Sequence, residues 1–148
     1  MKIGIIQGRL SEPKEGFQEC PIDWKREFNL LSELGLTHIE WIVTEKYFHS
    51  NPIFYRNISK YPISSVCADF MVSDNFCDSE YLDKFLKPLC LAVEENNIKN
   101  ITIPLLENSS VVEDDVREKF MKVFYPYTEC YKNINFLIEA ELNHNKLK

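Results

Sequence analysis

The stretch Asn100-Ile101-Thr102-Ile103-Pro104-Leu105 is a short apolar run, and a carboxylate, Glu107, follows it two residues later. Four other short apolar runs occur in the chain, at residues 2–6, 37–43, 62–68 and 134–138. Segments in which apolar residues recur at helical spacing separate these runs, so strands and helices alternate. This alternation predicts an α/β protein with a parallel sheet and crossover helices.

Acidic residues stand at the ends of four of these five runs, and they are Glu40, Asp69, Glu107 and Glu139. In parallel sheets the side chains at the carboxyl ends of the strands converge on the ligand crevice. Four carboxylates at one end repel one another unless a cation, a proton or the cationic groups of a substrate lie among them. The pattern therefore predicts a shared pocket suited to a divalent ion.

The first two helices are expected on either side of the second strand. Asp23 is a good N-cap for the first, which should end at Gly35, a residue that favours the left-handed C-terminal position. The second is weaker: Asn51 serves as its N-cap, and residues 53–60 provide only about two turns.

The last two helices have clearer patterns. Ser79 is the expected N-cap of the third helix, and Pro88 inside it predicts a kink or a break, since an interior proline costs roughly 3 kcal/mol. Ser110 and Glu113 have the spacing of a capping box, which would open a fourth helix running towards Cys130.

Size, charge and cysteine content limit the classes of function. The 148 residues predict a single domain, 1–148, and the net charge of −6 argues against general binding to phosphate backbones. The five cysteines are odd in number and include no C-x-x-C pair, which favours a reducing compartment. No run is long enough to span a bilayer and no secretory signal begins the chain, so we expect a cytoplasmic protein without a membrane partner.

Five stretches in the chain resemble, in order, the first five strands of the xylose-isomerase-like TIM-barrel superfamily, which includes sugar phosphate isomerases and epimerases. They are IGIIQGRLS (3–11), IEWI (39–42), SVCADF (65–70), IPLLE (103–107) and LIEAEL (137–142). The resemblance covers nearly the whole chain but corresponds only to the N-terminal portion of the family's barrel. It implies a parallel (βα) repeat that forms an incomplete TIM barrel of about five strands.

The resemblance also implies a chemistry. Family members hold one divalent metal (Mn, Co, Zn or Mg) with a Glu from strand five, and with Asp, His and Glu from strands six to eight. The first of these matches Glu139, which in epimerases is also a catalytic residue that exchanges a proton beside the substrate carbonyl. The other three ligands have no counterpart in this sequence. The expected partner is a small sugar or sugar phosphate.

Further residues are candidates for substrate binding. The resemblance places Gln7 and Arg9 in a loop that faces the substrate. Arg9 could hold a phosphate or a carboxylate, or could equally pair with one of the acids of the chain. Glu40 could orient the substrate or pair with a cation across the barrel mouth. Asp69 suits polar lining better than catalysis, and Glu107 is either a substrate contact or a surface acid.

Two alternatives to an isomerase or epimerase remain open. The chain could be a truncated, non-catalytic barrel fragment, whose open sheet edges a homo-oligomer could cover. The apurinic endonuclease branch shares the barrel, but such DNA repair enzymes need several metal-binding histidines and a positive surface. This chain has three histidines and a negative charge, so no nucleic-acid partner is expected.

Overall fold

A computed structural model describes residues 2–11, 21, 23–55 and 57–141. The described residues form one sheet of five strands in the order β1-β2-β3-β4-β5, and every neighbouring pair is parallel. The strands and the three helices are β1 (Gly4–Ile6), α1 (Trp24–Glu33), β2 (His38–Ile42), β3 (Ile63–Cys67), α2 (Ser79–Glu95), β4 (Asn100–Leu105), α3 (Asp114–Cys130) and β5 (Asn135–Ala140). The predicted parallel α/β fold is confirmed, and the sheet is not closed into a barrel.

The first helix has the predicted bounds. α1 begins directly after Asp23, although the Asp23 side chain makes no capping hydrogen bond. It is followed by Gly35, whose φ of 69° is the left-handed conformation that ends helices. Phe28 and Leu31 are buried on its inner side, because they lie three residues apart and share one face.

The weak second helix is not an α-helix. The Asn51 side chain does accept a hydrogen bond from the N–H of Ile53. The segment then forms two short 3-10 turns, Pro52–Phe54 and Ile58–Lys60, with extended backbone at Tyr55 between them. Two turns of helix give too few hydrogen bonds to offset the cost of nucleation, so tertiary packing decides the local conformation.

The third helix differs from the prediction at its N-cap and at Pro88. Its N-cap is Asp78, whose carboxylate accepts an N–H from the first turn at 2.9 Å, and Ser79 is already helical. Of the kink or break expected at Pro88, the break is wrong, because α2 continues without interruption from Ser79 to Glu95. Leu86 and Leu89, on either side of the proline, are fully buried. The burial of such side chains along the helix offsets the lost hydrogen bond.

The capping box predicted for the fourth helix is also wrong. α3 starts at Asp114 with Glu113 itself at the N-cap position, and no side chain caps it. The Ser110 hydroxyl instead donates to the carboxylate of Glu141 at 3.1 Å, which links the loop after β4 to the residue after β5.

The two faces of the sheet differ in polarity. On the face covered by the helices, fully buried apolar side chains of the central strands form the core. These side chains are Ile39, Trp41, Val66, Ile101 and Ile103. The opposite face carries the polar side chains described below. No helix within the described ranges is long and apolar enough to cross a membrane.

Candidate functional site

The polar face of the sheet is the face that carries the side chains of Glu40, Ser65, Cys67, Thr102 and Glu139. Its centre is Glu40, which lies in the middle of β2 rather than at the end of the strand. One carboxylate oxygen, Oε1, accepts hydrogen bonds from Ser65 at 3.1 Å and from Thr102 at 2.8 Å. These bonds fix one orientation of the Glu40 side chain and link β2 to β3 and β4. Its second oxygen, Oε2, makes no hydrogen bond to a described residue.

Strand register places Glu139 on the same face. Thr102 pairs with Leu137, and Pro104 pairs with Glu139. Because side chains two residues apart on a strand share a face, Glu139 lies on the side to which Thr102 directs its hydroxyl. Glu139 is exposed at the carboxyl end of β5.

The pKa of the Cys67 thiol shows which acids act on it. Burial is the main cause that raises the pKa of its thiol to about 12, and the negative charges of Asp69, Glu40 and Glu139 contribute to this rise, in that order. The charges of three of the four acids predicted at strand ends therefore act on one thiol of the polar face. Cys67 was not among the residues predicted for the site.

Asp69 and Glu107, the acids that follow β3 and β4, differ in position. Asp69 is half-buried in the 3-10 turn Asp69–Met71, directly beyond β3. Glu107 is exposed in the turn Glu107–Ser109 beyond β4, with a φ of 50° that is unusual for a residue other than glycine. Glu107 is not among the charges that act on Cys67.

Gln7 joins β1 to β2 where β1 ends. Its backbone N–H donates to the carbonyl of Glu40 at 2.9 Å, and its side-chain oxygen accepts the N–H of Ile42 at 2.8 Å. Gln7 is fully buried, and its amide nitrogen Nε2 is buried without a hydrogen-bond partner among the described residues. A buried donor without a partner is costly, so the Gln7 amide keeps two N–H groups that a ligand or a water molecule could use.

Glu27 organises the loop after β1. Although it is a charged residue of α1, Glu27 is only 1% exposed. It accepts hydrogen bonds from the backbone N–H groups of Gly8, Leu10 and Ser11, at 2.9, 3.4 and 3.3 Å, and from the Ser11 hydroxyl at 2.9 Å. Arg9 is exposed in this loop, so Glu27 sets the path of the backbone that carries it.

Glu27 was not among the residues predicted for the site, although the sequence carried a signal for it. The residue lies three positions after Trp24 and one before Phe28, on the apolar stripe that α1 buries. A carboxylate at such a position must find hydrogen-bond donors within the fold.

The described residues contain no group of three or more His, Cys, Asp or Glu side chains positioned to hold a metal ion. Protein zinc sites, for example, use at least three protein ligands. Glu139 and the neighbouring acids thus provide oxygen ligands for a hard cation but do not form a metal centre by themselves.

The raised pKa of Cys67 predicts weaker folding at alkaline pH. Above its ordinary value of 9.0, the unfolded thiol loses its proton while the folded thiol keeps it up to about 12. Unfolding then releases a proton, so the free energy of unfolding falls as the pH rises from about 9 towards 12. Urea denaturation at several pH values should show this fall. Cys67→Ser should reduce the slope, whereas Cys130→Ser, at an exposed position, should leave it unchanged.

Compared with protein-family models and with curated proteins, the chain matches none of them. Membership of the xylose-isomerase-like superfamily therefore stays a prediction, based on the five stretches quoted above.

Proposed function

We propose that the polar face of the sheet is the N-terminal part of a site for a sugar or sugar phosphate, of the isomerase or epimerase type. The reaction is proton transfer at the carbon next to the substrate carbonyl. One observation carries the proposal: the side chains of Glu40 and Glu139 lie on one face of a parallel sheet, next to the turn that carries Asp69. The charges of all three acids raise the pKa of Cys67 on that face. Grouped carboxylates suit hydroxyl-rich ligands and proton transfer.

The carboxylates take different roles in this proposal. Glu139 is exposed at the carboxyl end of its strand, so it is the residue that removes or returns the proton. Glu40 is held by two hydroxyl groups through Oε1, which leaves Oε2 to accept a substrate hydroxyl. Gln7, Arg9, Asp69 and Glu107 remain candidates for substrate contacts around this pair.

In this proposal, Glu139 would also be one of the ligands of a divalent metal. When bound, such an ion would polarise the substrate carbonyl. Its other ligands would have to come from outside the described residues, because these hold no three-ligand cluster. The proton-transfer step itself is assigned to the carboxylate of Glu139.

Metal titration and isotope exchange test the assignment of Glu139. Calorimetry with Mn²⁺ should show weak binding by the wild-type protein, and Glu139→Gln should weaken it by at least about tenfold, since a charged oxygen ligand is lost. In D₂O with Mn²⁺ and a panel of ketoses and ketose phosphates, wild-type protein should introduce deuterium beside the carbonyl. Glu139→Gln should not.

Glu141→Gln is the matched control, because Glu141 is exposed two residues further along and, among the described residues, accepts a side-chain hydrogen bond from Ser110. It should behave as wild type in both measurements. Equal Mn²⁺ affinity in all three proteins would contradict the role of Glu139. The absence of deuterium exchange with every sugar would contradict a catalytic function.

A non-catalytic chain that binds other strands at its open sheet edges is the second candidate. Four apolar side chains, two at residues 3–6 and two in β5, favour this candidate, because each is 42–49% exposed. They are Ile3, Ile6, Leu137 and Ile138. Exposed strand edges with apolar side chains promote pairing with another chain.

This second candidate predicts self-association that depends on concentration. Light scattering after size-exclusion chromatography should show a mass that rises with loading, and Leu137→Lys should shift the protein towards the monomer. Leu91→Lys on α2 is the control, since Leu91 is equally exposed (49%) but lies away from the edges. A protein that stays monomeric at all loadings, or an equal effect of both variants, would refute edge pairing.

A further inference from the structure

A cleft of about 200 Å³ lies on the side of the sheet opposite the polar face, between the start of α1 and the segment before β3. Trp24 forms one wall, and its ring packs at 5.7 Å against Trp41, which the sheet buries on its helix-covered face. Tyr55 and Tyr61 form other walls, and Ile58 is buried beneath them. This cleft is therefore separate from the site proposed above.

The walls of the cleft offer aromatic surface to a ligand. Tyr55 is 52% exposed, and Trp24 and Tyr61 are half-buried. Trp24 and Tyr61 hold each other edge-to-face at 5.1 Å, while Phe28 stacks on Tyr61 at 4.5 Å from behind. The rings are thus fixed by packing before any ligand arrives, which lowers the entropic cost of binding a further ring.

Two lysines supply positive charge at the same place. The Lys25 ammonium lies 5.4 Å from the Trp24 ring centre, and the Lys60 ammonium lies 5.3 Å from that of Tyr61. The four salt bridges found among the described residues involve other side chains. In a chain with a net charge of −6, a pair of lysines without carboxylate partners in the described fold is complementary to an anion.

The volume of the cleft then limits the size of the anion that it can bind. A cavity of about 150 Å³ holds a benzene molecule, so about 200 Å³ accommodates one ring together with a small charged group. We propose that this cleft, lined by Trp24, Tyr55, Tyr61, Lys25 and Lys60, binds a small anion that carries a single aromatic ring. The ring contacts the aromatic walls, and the anionic group contacts the two ammonium groups.

Nuclear magnetic resonance with defined probes tests this site. Phenyl phosphate carries both features, inorganic phosphate carries only the charge, and benzyl alcohol carries only the ring. Phenyl phosphate should shift the indole N–H signal of Trp24 in a saturable way and bind about tenfold more tightly than either of the other probes. The signal of Trp41 should shift less, because its N–H is buried in a 2.8 Å bond to Asn51. Trp24→Phe identifies the Trp24 signal.

The double variant Lys25→Gln/Lys60→Gln should weaken phenyl phosphate binding by about tenfold. Lys84→Gln/Lys87→Gln removes the same charge from exposed positions on α2, where Lys84 also lies over a ring, and should leave the affinity unchanged. The proposal is overturned if inorganic phosphate or benzyl alcohol binds as tightly as phenyl phosphate. It is also overturned if both double variants act alike, or if no saturable shift occurs below about 10 mM.

Discussion

Replacement of Glu27 by alanine is expected to lower the free energy of unfolding by about 3–5 kcal/mol. The carboxylate accepts four hydrogen bonds from the loop at Gly8–Ser11, and hydrogen bonds to charged groups contribute about 1.5–3 kcal/mol each without being additive. Its removal leaves three backbone N–H groups without their acceptor. Urea denaturation followed by tryptophan fluorescence measures the change.

Two further variants separate the carboxylate from other effects at this position. Glu27→Gln keeps the size and one oxygen acceptor, so its loss should be smaller, about 1–3 kcal/mol. Glu33→Ala, at an exposed position of the same helix, should change stability by no more than about 0.5 kcal/mol. If Glu27→Ala lowered the free energy of unfolding as little as Glu33→Ala, the loop would not depend on Glu27. Hydrogen exchange at Gly8, Leu10 and Ser11 should accelerate in Glu27→Ala, to a smaller degree in Glu27→Gln, and not in Glu33→Ala.

Replacement of Trp41 by alanine is expected to destabilise the protein by about 3–5 kcal/mol, the range for removing a large aromatic side chain from a core. Trp41 is fully buried and packs against Trp24 and Phe28. Its indole N–H also donates to the Asn51 side-chain oxygen at 2.8 Å. Thermal and urea denaturation measure the loss of stability.

A double-mutant cycle isolates the hydrogen bond from the packing. Trp41→Phe keeps an aromatic ring but removes the donor, and Asn51→Ala removes the acceptor. Because Asn51 also accepts the N–H of Ile53 and donates to the carbonyl of Ile42, its variant should cost more than the Trp41 bond alone. We expect a coupling energy of about 0.5–1.5 kcal/mol between the two residues. Additive effects would show that the bond contributes nothing.

Local patterns predicted the elements that depend on local periodicity. The run Asn100–Leu105 is a strand with the expected bounds, and α1 begins and ends where its cap residues indicated. The segment after Asn51 and the proline in α2 were harder to predict. In both places packing against the rest of the fold outweighs the local preference, since a two-turn helix is marginal and a buried long helix tolerates Pro88.

The candidate site was predicted only in outline. Glu139 and Asp69 could be named because they close apolar runs, and three of the predicted acids do act on one thiol. The partners of Glu40, namely Ser65 and Thr102, lie 25 and 62 residues further along the chain, and no local pattern links them. Glu27 was missed for the same reason, since its four donors lie in a different segment.

The alternation of strands and helices, and with it a parallel sheet, follows from local apolar spacing, because that spacing directly reflects which face of each element is buried. Which side chains of different strands meet on the polar face depends on how the strands pair. That outcome depends on the register between neighbouring strands, including the irregularity between Ile39 and Glu40 where β2 meets β3. A shift of one residue would move every side chain of a strand to the opposite face, so the residues that meet across strands depend on pairing between segments that are distant in the chain.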